Sequence, residues 1–198
     1  PVRFLSNYSS GKMGYAIARA ARDRGARVIL VSGPVNLSAP QGVETIFVVS
    51  AREMHQAVMA HAETADLIVK AAAVADFRPV LRSEQKTKKG NAESMTVELQ
   101  RNPDILAELG RKKGAQVLVG FAAETEELLK HAREKLHGKN LDMIVANDVT
   151  QEGAGFDGDT NIVRILTADG NVEELAKMSK ERVAEVVLDR AIALFPDA

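Results

Sequence analysis

Four short apolar runs constrain this chain more than any other feature. They are RVILV (residues 27–31), DLIVK (66–70), QVLVG (116–120) and DMIVA (142–146). Runs this brief, rich in Val, Ile and Leu, suit strands buried on both faces, as in a parallel sheet covered by helices. Ahead of the first run, Met13, Ala16, Ile17, Ala20 and Ala21 recur with helical period, and Gly25 stops that helix. ETIFVV (44–49) reads as a further strand, and Ser50 stands where an N-cap should before the helix AREMHQAVMAHAE. Helix, strand, strand, helix, strand is the order of a sheet with helical cover.

The middle of the chain differs. Residues 78–91 (RPVLRSEQKTKKGN) have no apolar periodicity and predict a surface loop, and MTVEL (95–99) alternates as a half-exposed strand would. Asn102-Pro103-Asp104 opens a helix, with Pro at a first-turn position where its missing N–H costs little. FAAET (121–125) follows the QVLVG strand, the helix EELLKHAREKLHGK runs to Lys139, and GAGFDGD (153–159) is a Gly/Asp loop. Residues 161–167 and the segment after Asp169-Gly170 form a hairpin, because Asp-Gly between strands favours a tight turn. The last helix, over 179–195, carries a stripe of Val183, Val186, Val187, Ala191 and Leu194. With no repeat and no linker, residues 1–198 read as a single domain. The predicted fold is α/β: a Rossmann-like three-layer sandwich with a mostly parallel central sheet and a C-terminal hairpin.

Charge and composition exclude several functions. A net charge of -1 lacks the basic excess of a general nucleic-acid binder, so any anionic ligand must be met by local basic groups. There is no Cys, hence no disulfide framework, no thiolate zinc site and no thiol nucleophile. His55, His61, His131 and His137 sit in polar helical stretches and read as surface residues. No apolar run approaches the ~20 residues that cross a bilayer, and no signal peptide is visible, which makes the cytoplasm the expected location. The chain starts at Pro1 rather than Met, and we expect residues upstream of it to be missing.

Ligands of open α/β sheets collect outside the carboxyl ends of the strands. Residues 7–14 combine small residues with Ser9, Ser10, Gly11 and Lys12, and suit an anion at a helix start. The alternative there is a plain Ser N-cap with Lys12 solvated. The stretch is no P-loop, since position 6 is Ser and Met13 follows Lys12, and no GxGxxG, since Gly11 and Gly14 stand alone. In KAAAVADF (70–77) the alanines let a ligand lie against the backbone, and Asp76 is a candidate magnesium ligand; packing under a helix and a capping Asp would explain it equally. Lys86, Lys88 and Lys89 in QKTKK (85–89) suit a loop closing over a polyphosphate, or a solvated charge run. RNPDIL (101–106) and GFAAET (120–125) end strands and begin helices. No Ser-His-Asp order and no HExxH spacing appears. The residues alone thus reach an α/β protein for a phosphorylated ligand.

Taken in order, SNYSSGKMG, AAAVADFR, the lysine loop, NPDIL, GFAAET and KNLDMIVAND closely resemble the phosphopantothenoylcysteine synthetase family over nearly the whole chain. In bacteria that family is usually the C-terminal half of a bifunctional coenzyme A biosynthesis protein whose N-terminal half is a flavin-dependent decarboxylase. The resemblance implies a CTP-dependent ligase. CTP and 4'-phosphopantothenate give an acyl-cytidylate and pyrophosphate; L-cysteine then attacks the acyl carbon, releasing CMP and phosphopantothenoylcysteine. It assigns Asn7 to the acyl-cytidylate and Lys86 to the first half-reaction. It places CTP against Lys70, Ala71, Ala72, Asp76, Lys86, Pro103, Asp104, Ile105, Leu106, Phe121, Lys135 and Lys139. Lys135 and Lys139 are four apart and share one helix face. Mg2+ at Asp76 is our own inference from the carboxylate.

The family also implies a homodimer with MTVEL near the interface, and a first strand, a Gly/Thr-rich turn and an acidic segment ahead of the counterpart of PVRFLSN. We expect these, and the FMN-binding decarboxylase half, to lie outside the present chain. Two other classes remain: an NAD(P)-binding Rossmann-type oxidoreductase or regulatory module, weakened by the missing GxGxxG, and a catalytically dead assembly domain, weakened by the presence of Asn7 and Lys86.

Overall fold

Period-two burial along the central strands divides their side chains between two helical layers. The computed structural model describes residues 4–82, 93–124, 127–148 and 158–196. In chain order the elements are α1 (Lys12–Asp23), β1 (Ile29–Ser32), β2 (Glu44–Phe47), α2 (Ala51–Ala62), β3 (Leu67–Lys70), β4 (Phe77–Pro79) and β5 (Leu99–Arg101). They continue with α3 (Ile105–Lys112), β6 (Val117–Glu124), α4 (Leu128–Gly138), β7 (Met143–Asp148), β8 (Thr160–Thr167), β9 (Val172–Ser179) and α5 (Lys180–Ile192). The main sheet has the order β3-β6-β7-β8-β9. Its first three strands are parallel, and β8 and β9 add the expected antiparallel hairpin.

Val117, Val119, Met143, Val145, Val163 and Ile165 point to one face, where Val183 and Val187 of α5 cover them. Alongside, Ala16, Ile17 and Ala20 of α1 pack on Ala184 and Leu188; small residues let two helices approach closely. Leu118, Ile144, Ala146 and Leu166 point to the other face, under Met54 of α2, Ile105 and Leu109 of α3, and Ala132 and Leu136 of α4. The three-layer α/β expectation therefore holds.

β1 and β2 form a separate parallel pair. Among the described residues, neither joins β3, and a cleft of about 1750 Å³ opens between β1 and β3. Leu30 and Ser32 line one wall, Leu67 and Val69 the other, and Tyr15 and Ala18 the floor. Helices connect this pair to the main body. Arg24, the C-cap of α1, binds Glu185 and Asp189 of α5 at 2.5 and 2.7 Å. On the opposite face His55 of α2 meets Glu108 of α3 at 2.8 Å, and the Gln116 amide donates to the Ala62 carbonyl at 3.1 Å.

Several local expectations need correction. MTVEL is not a strand over most of its length: β5 begins at Leu99 and pairs antiparallel with Phe77–Pro79 of β4, extended by the Val80 amide on the Glu98 carbonyl. Residues 78 and 79 are accordingly strand rather than loop. Pro103 precedes the helix, and Asp104 is its N-cap, accepting from the Ala107 amide at 3.0 Å. β6 continues through FAAE instead of turning there.

Candidate active site

The carboxyl ends of β3, β6 and β7 point the same way, and the chain leaves β3 as the strap 71–76. Two side chains tie the strap down. The Asn7 amide donates to the Val74 carbonyl at 3.2 Å, and the Asn102 amide to the Ala75 carbonyl at 2.7 Å. The Asn102 backbone amide also reaches the Asp76 carbonyl at 2.8 Å, and Arg78 donates to the Asn102 side-chain oxygen at 3.1 Å. A Cβ on Gly14 would lie 3.9 Å from that of Ala71, so the first turn of α1 rests against the strap. Asn7 is thereby brought to the strap that follows Lys70.

The second half of the site is electrostatic. Lys70, at the tip of β3, lies within the fields of Asp76, Asp104, Lys135 and Lys139. Burial first, and then the Lys139 charge, lower its pKa from the ordinary lysine value, against the pull of Asp104 and Asp76. Lys139 binds Asp104 at 2.8 Å. Burial acts to raise the Asp104 pKa, but the Lys139 hydrogen bond, the Ala107 amide and the charges of Lys139 and Lys70 outweigh it and hold it below the usual range. Lys139 meets the N-cap of α3, and Lys70 feels the charges of Lys135, Lys139, Asp76 and Asp104; the helix dipole and first-turn amides of α3 favour an anion beside Lys139.

Not every predicted residue contributes a side chain. Ile105 and Leu106 are buried in the core, so only their first-turn amides can meet a ligand. Pro103 sets the entry to the cap. Phe121 is partly buried against the core clusters that α1 and α5 share with the sheet. Lys12 is held by Asp159 at 2.6 Å, and the capping reading of the serines does not apply: Gly11 is the N-cap, with φ 75, and no side chain caps α1. Ser9 and Ser10 hydroxyls instead accept from the Gly11 and Lys12 amides at 3.4 Å. Lys86, with Lys88 and Lys89, lies outside the described residues. Among those described, no three of His, Cys, Asp and Glu gather in a metal-binding group. A lone carboxylate such as Asp76 fits Mg2+, which takes one or two carboxylates and completes its shell with water and phosphate oxygens.

Asn102 and Arg78 are the residues that sequence reasoning passed over. Their signal was present, since each belongs to a quoted motif, but a tie to a strap cannot be read without the strap.

Residues 1–194 match the family of DNA/pantothenate metabolism flavoprotein C-terminal domains. The chain belongs to that family. It is 54% identical over 195 residues to the coenzyme A biosynthesis bifunctional protein CoaBC of Bacillus subtilis (strain 168), covering 98% of this chain and 48% of that protein. The CoaBC of Escherichia coli (strain K12) is 42% identical over 200 residues, covering 100% and 49%. The chain thus spans about half the length of these relatives. The crystal structure of the C-terminal domain of a CoaBC superposes with a TM-score of 0.84 at 43% identity, over 100% of this chain and 89% of that one. A DNA/pantothenate metabolism flavoprotein from Streptococcus pneumoniae has the same fold, with a TM-score of 0.83 at 20% identity over 98% and 92%. Among the described residues no helix is long and apolar enough to cross a membrane.

Proposed function

We propose that this domain joins 4'-phosphopantothenate to L-cysteine at the expense of CTP, within coenzyme A biosynthesis in the cytoplasm. The observation that carries the reading is the set of charges around Lys70, with Lys135 and Lys139 acting on it and Lys139 bound to the N-cap of α3, together with the strap after Lys70 held by Asn7. The similarity to CoaBC proteins supports the pathway, and the cluster supports a polyphosphate substrate.

In this reading the 4'-phosphopantothenate carboxylate attacks the α-phosphorus of CTP and pyrophosphate leaves. Lys70, Lys135, Lys139 and the first-turn amides of α3 bind the phosphates, and Lys86 neutralises charge as it builds on them. Removing one preorganised donor of this kind typically costs on the order of 3 kcal/mol in the barrier. Asn7 orients the acyl carbonyl with its amide. The cysteine amine then attacks the acyl carbon and CMP departs. Asp76 would hold Mg2+, which supplies charge neutralisation on phosphate oxygens when bound. Exposed Phe77, Leu81, Met95, Val97 and Leu99 around β4 and β5 support the proposed homodimer, since so many apolar side chains in one region suit an interface.

The test is to incubate the protein with 4'-phosphopantothenate, Mg2+ and each nucleoside triphosphate, with and without cysteine. CTP-dependent pyrophosphate release, with CMP and the amide product appearing on addition of cysteine, is expected. Hydride exchange with a nicotinamide nucleotide and no CTP turnover would select the oxidoreductase alternative. Lys86→Gln should block pyrophosphate release, and Asn7→Asp should let the acyl-cytidylate accumulate; equal release by wild type and Lys86→Gln would remove Lys86 from the first step.

A further inference from the structure

The end of α4 is built to one geometry. Asn140 has φ 52, the left-handed conformation that Asn tolerates better than most residues. Its amide bonds the His137 carbonyl at 3.1 Å, and the Leu141 amide bonds the Leu136 carbonyl at 2.9 Å. These two bonds are a Schellman motif, with Leu136 and Leu141 both buried beneath it. The motif turns the Lys139 carbonyl directly onto α3 at Gly110. A Cβ there would lie only 1.8 Å from that oxygen and 2.8 Å from its carbon. The Asn140 side-chain amide closes the contact by donating to the Gly110 carbonyl at 2.9 Å.

Gly110 lies six residues after Asp104, so one helix meets the same lysine twice. Its interior receives the Lys139 backbone, and its N-cap receives the Lys139 ammonium at 2.8 Å.

We infer that Gly110 and Asn140 are positioning residues: they seat the Lys139 backbone on α3 so that its ammonium is presented at the nucleotide site. This rests on the reading of the cationic group as a CTP-phosphate site. Any side chain at Gly110 must push the Lys139 carbonyl back by more than an ångström, and the ammonium moves with the backbone that carries it. Loss of the Asn140 amide releases the same backbone without introducing bulk.

The deciding experiment is a double-mutant cycle read by CTP affinity, measured by calorimetry on the full chain. Gly110→Ala and Asn140→Gly are each made in the wild type and in Lys139→Met; Asn140→Gly keeps the left-handed backbone open and serves should Gly110→Ala not fold. In the wild type each should weaken CTP binding at least ~3-fold, raising the CTP KM while the cysteine KM holds. In Lys139→Met the same changes should alter affinity by less than ~2-fold, because the group they position is gone. Equal losses in both backgrounds would mean a structural role alone and overturn the inference while leaving the CTP site standing. Unchanged CTP affinity in Lys139→Met itself would overturn the reading of the cluster, and the inference with it.

Discussion

The five-stranded sheet and the β1–β2 pair are made of similar residues but are held in place by different means. In the sheet, Met143, Ile144, Val145 and Ala146 are fully buried, with a strand on each side of β7 and helices on both faces. In β1, Ile29, Leu30 and Val31 are only half-buried, and one edge of the strand faces the cleft. What fixes the smaller pair is helix contact: Arg24 to Glu185 and Asp189 on one face, His55 to Glu108 on the other. Strand composition therefore predicts that a run will be a strand, while its stability depends on how many sides find a neighbour.

The largest test of this contrast is a pair of truncations. Ile144→Ala should cost about 2–5 kcal/mol, because packed surroundings on both faces cannot collapse into the hole. Leu30→Ala should cost roughly 1 kcal/mol, about half of a full side-chain burial. Urea denaturation of both variants measures the difference, and equal losses would break the comparison. Amide hydrogen exchange should rank the same way, slowest in β7 and faster in β1.

Next in size is Lys139→Met, at the proposed nucleotide site. It should weaken CTP binding by about 1.5–3 kcal/mol, the range for a charged hydrogen bond, and leave the urea midpoint close to wild type. A large fall in the midpoint would make Lys139 a structural residue. Titration of CTP affinity sharpens this further. Since Lys70 has a lowered pKa, affinity should fall at a pH below that of an ordinary lysine, and Lys70→Arg should remove that early fall.

The smallest effect concerns the helix ties. The His55 and Lys112 contacts lower the Glu108 pKa to about 2, from an ordinary 4.5. A folded pKa below the unfolded one gives stability that is present above 4.5 and is lost as pH falls toward 2. Glu108→Gln should flatten the acid limb of the stability curve over that window, as followed by thermal melts at successive pH values. An unchanged acid limb would remove the α2–α3 tie from the account.

Much of the fold was legible because period and capping are local. The four apolar runs became β1, β3, β6 and β7, and Ser50 caps α2 with Glu53 completing a capping box. MTVEL failed for a physical reason: alternation reports which face a side chain takes, whereas a strand also needs a partner, and the partner strand β4, Phe77–Pro79, pairs only with Leu99–Arg101. At the site, the spacing of Lys135 and Lys139 and the approximate start of α3 were readable, but its N-cap, Asp104, was not. The contact between Gly110 and the Lys139 carbonyl was not, since it joins two helices whose approach no local pattern encodes.

The bond between Lys139 and Asp104 has one more consequence. If the proposed nucleotide site is right, the chain brings its own anion to the spot where a phosphate would settle, and an incoming nucleotide would trade places with a carboxylate instead of entering a bare positive hole. Such an exchange limits how tightly the guest is held and gives the lysine somewhere to return when it departs. A catalyst that must let go of its products after every cycle benefits from a resident understudy.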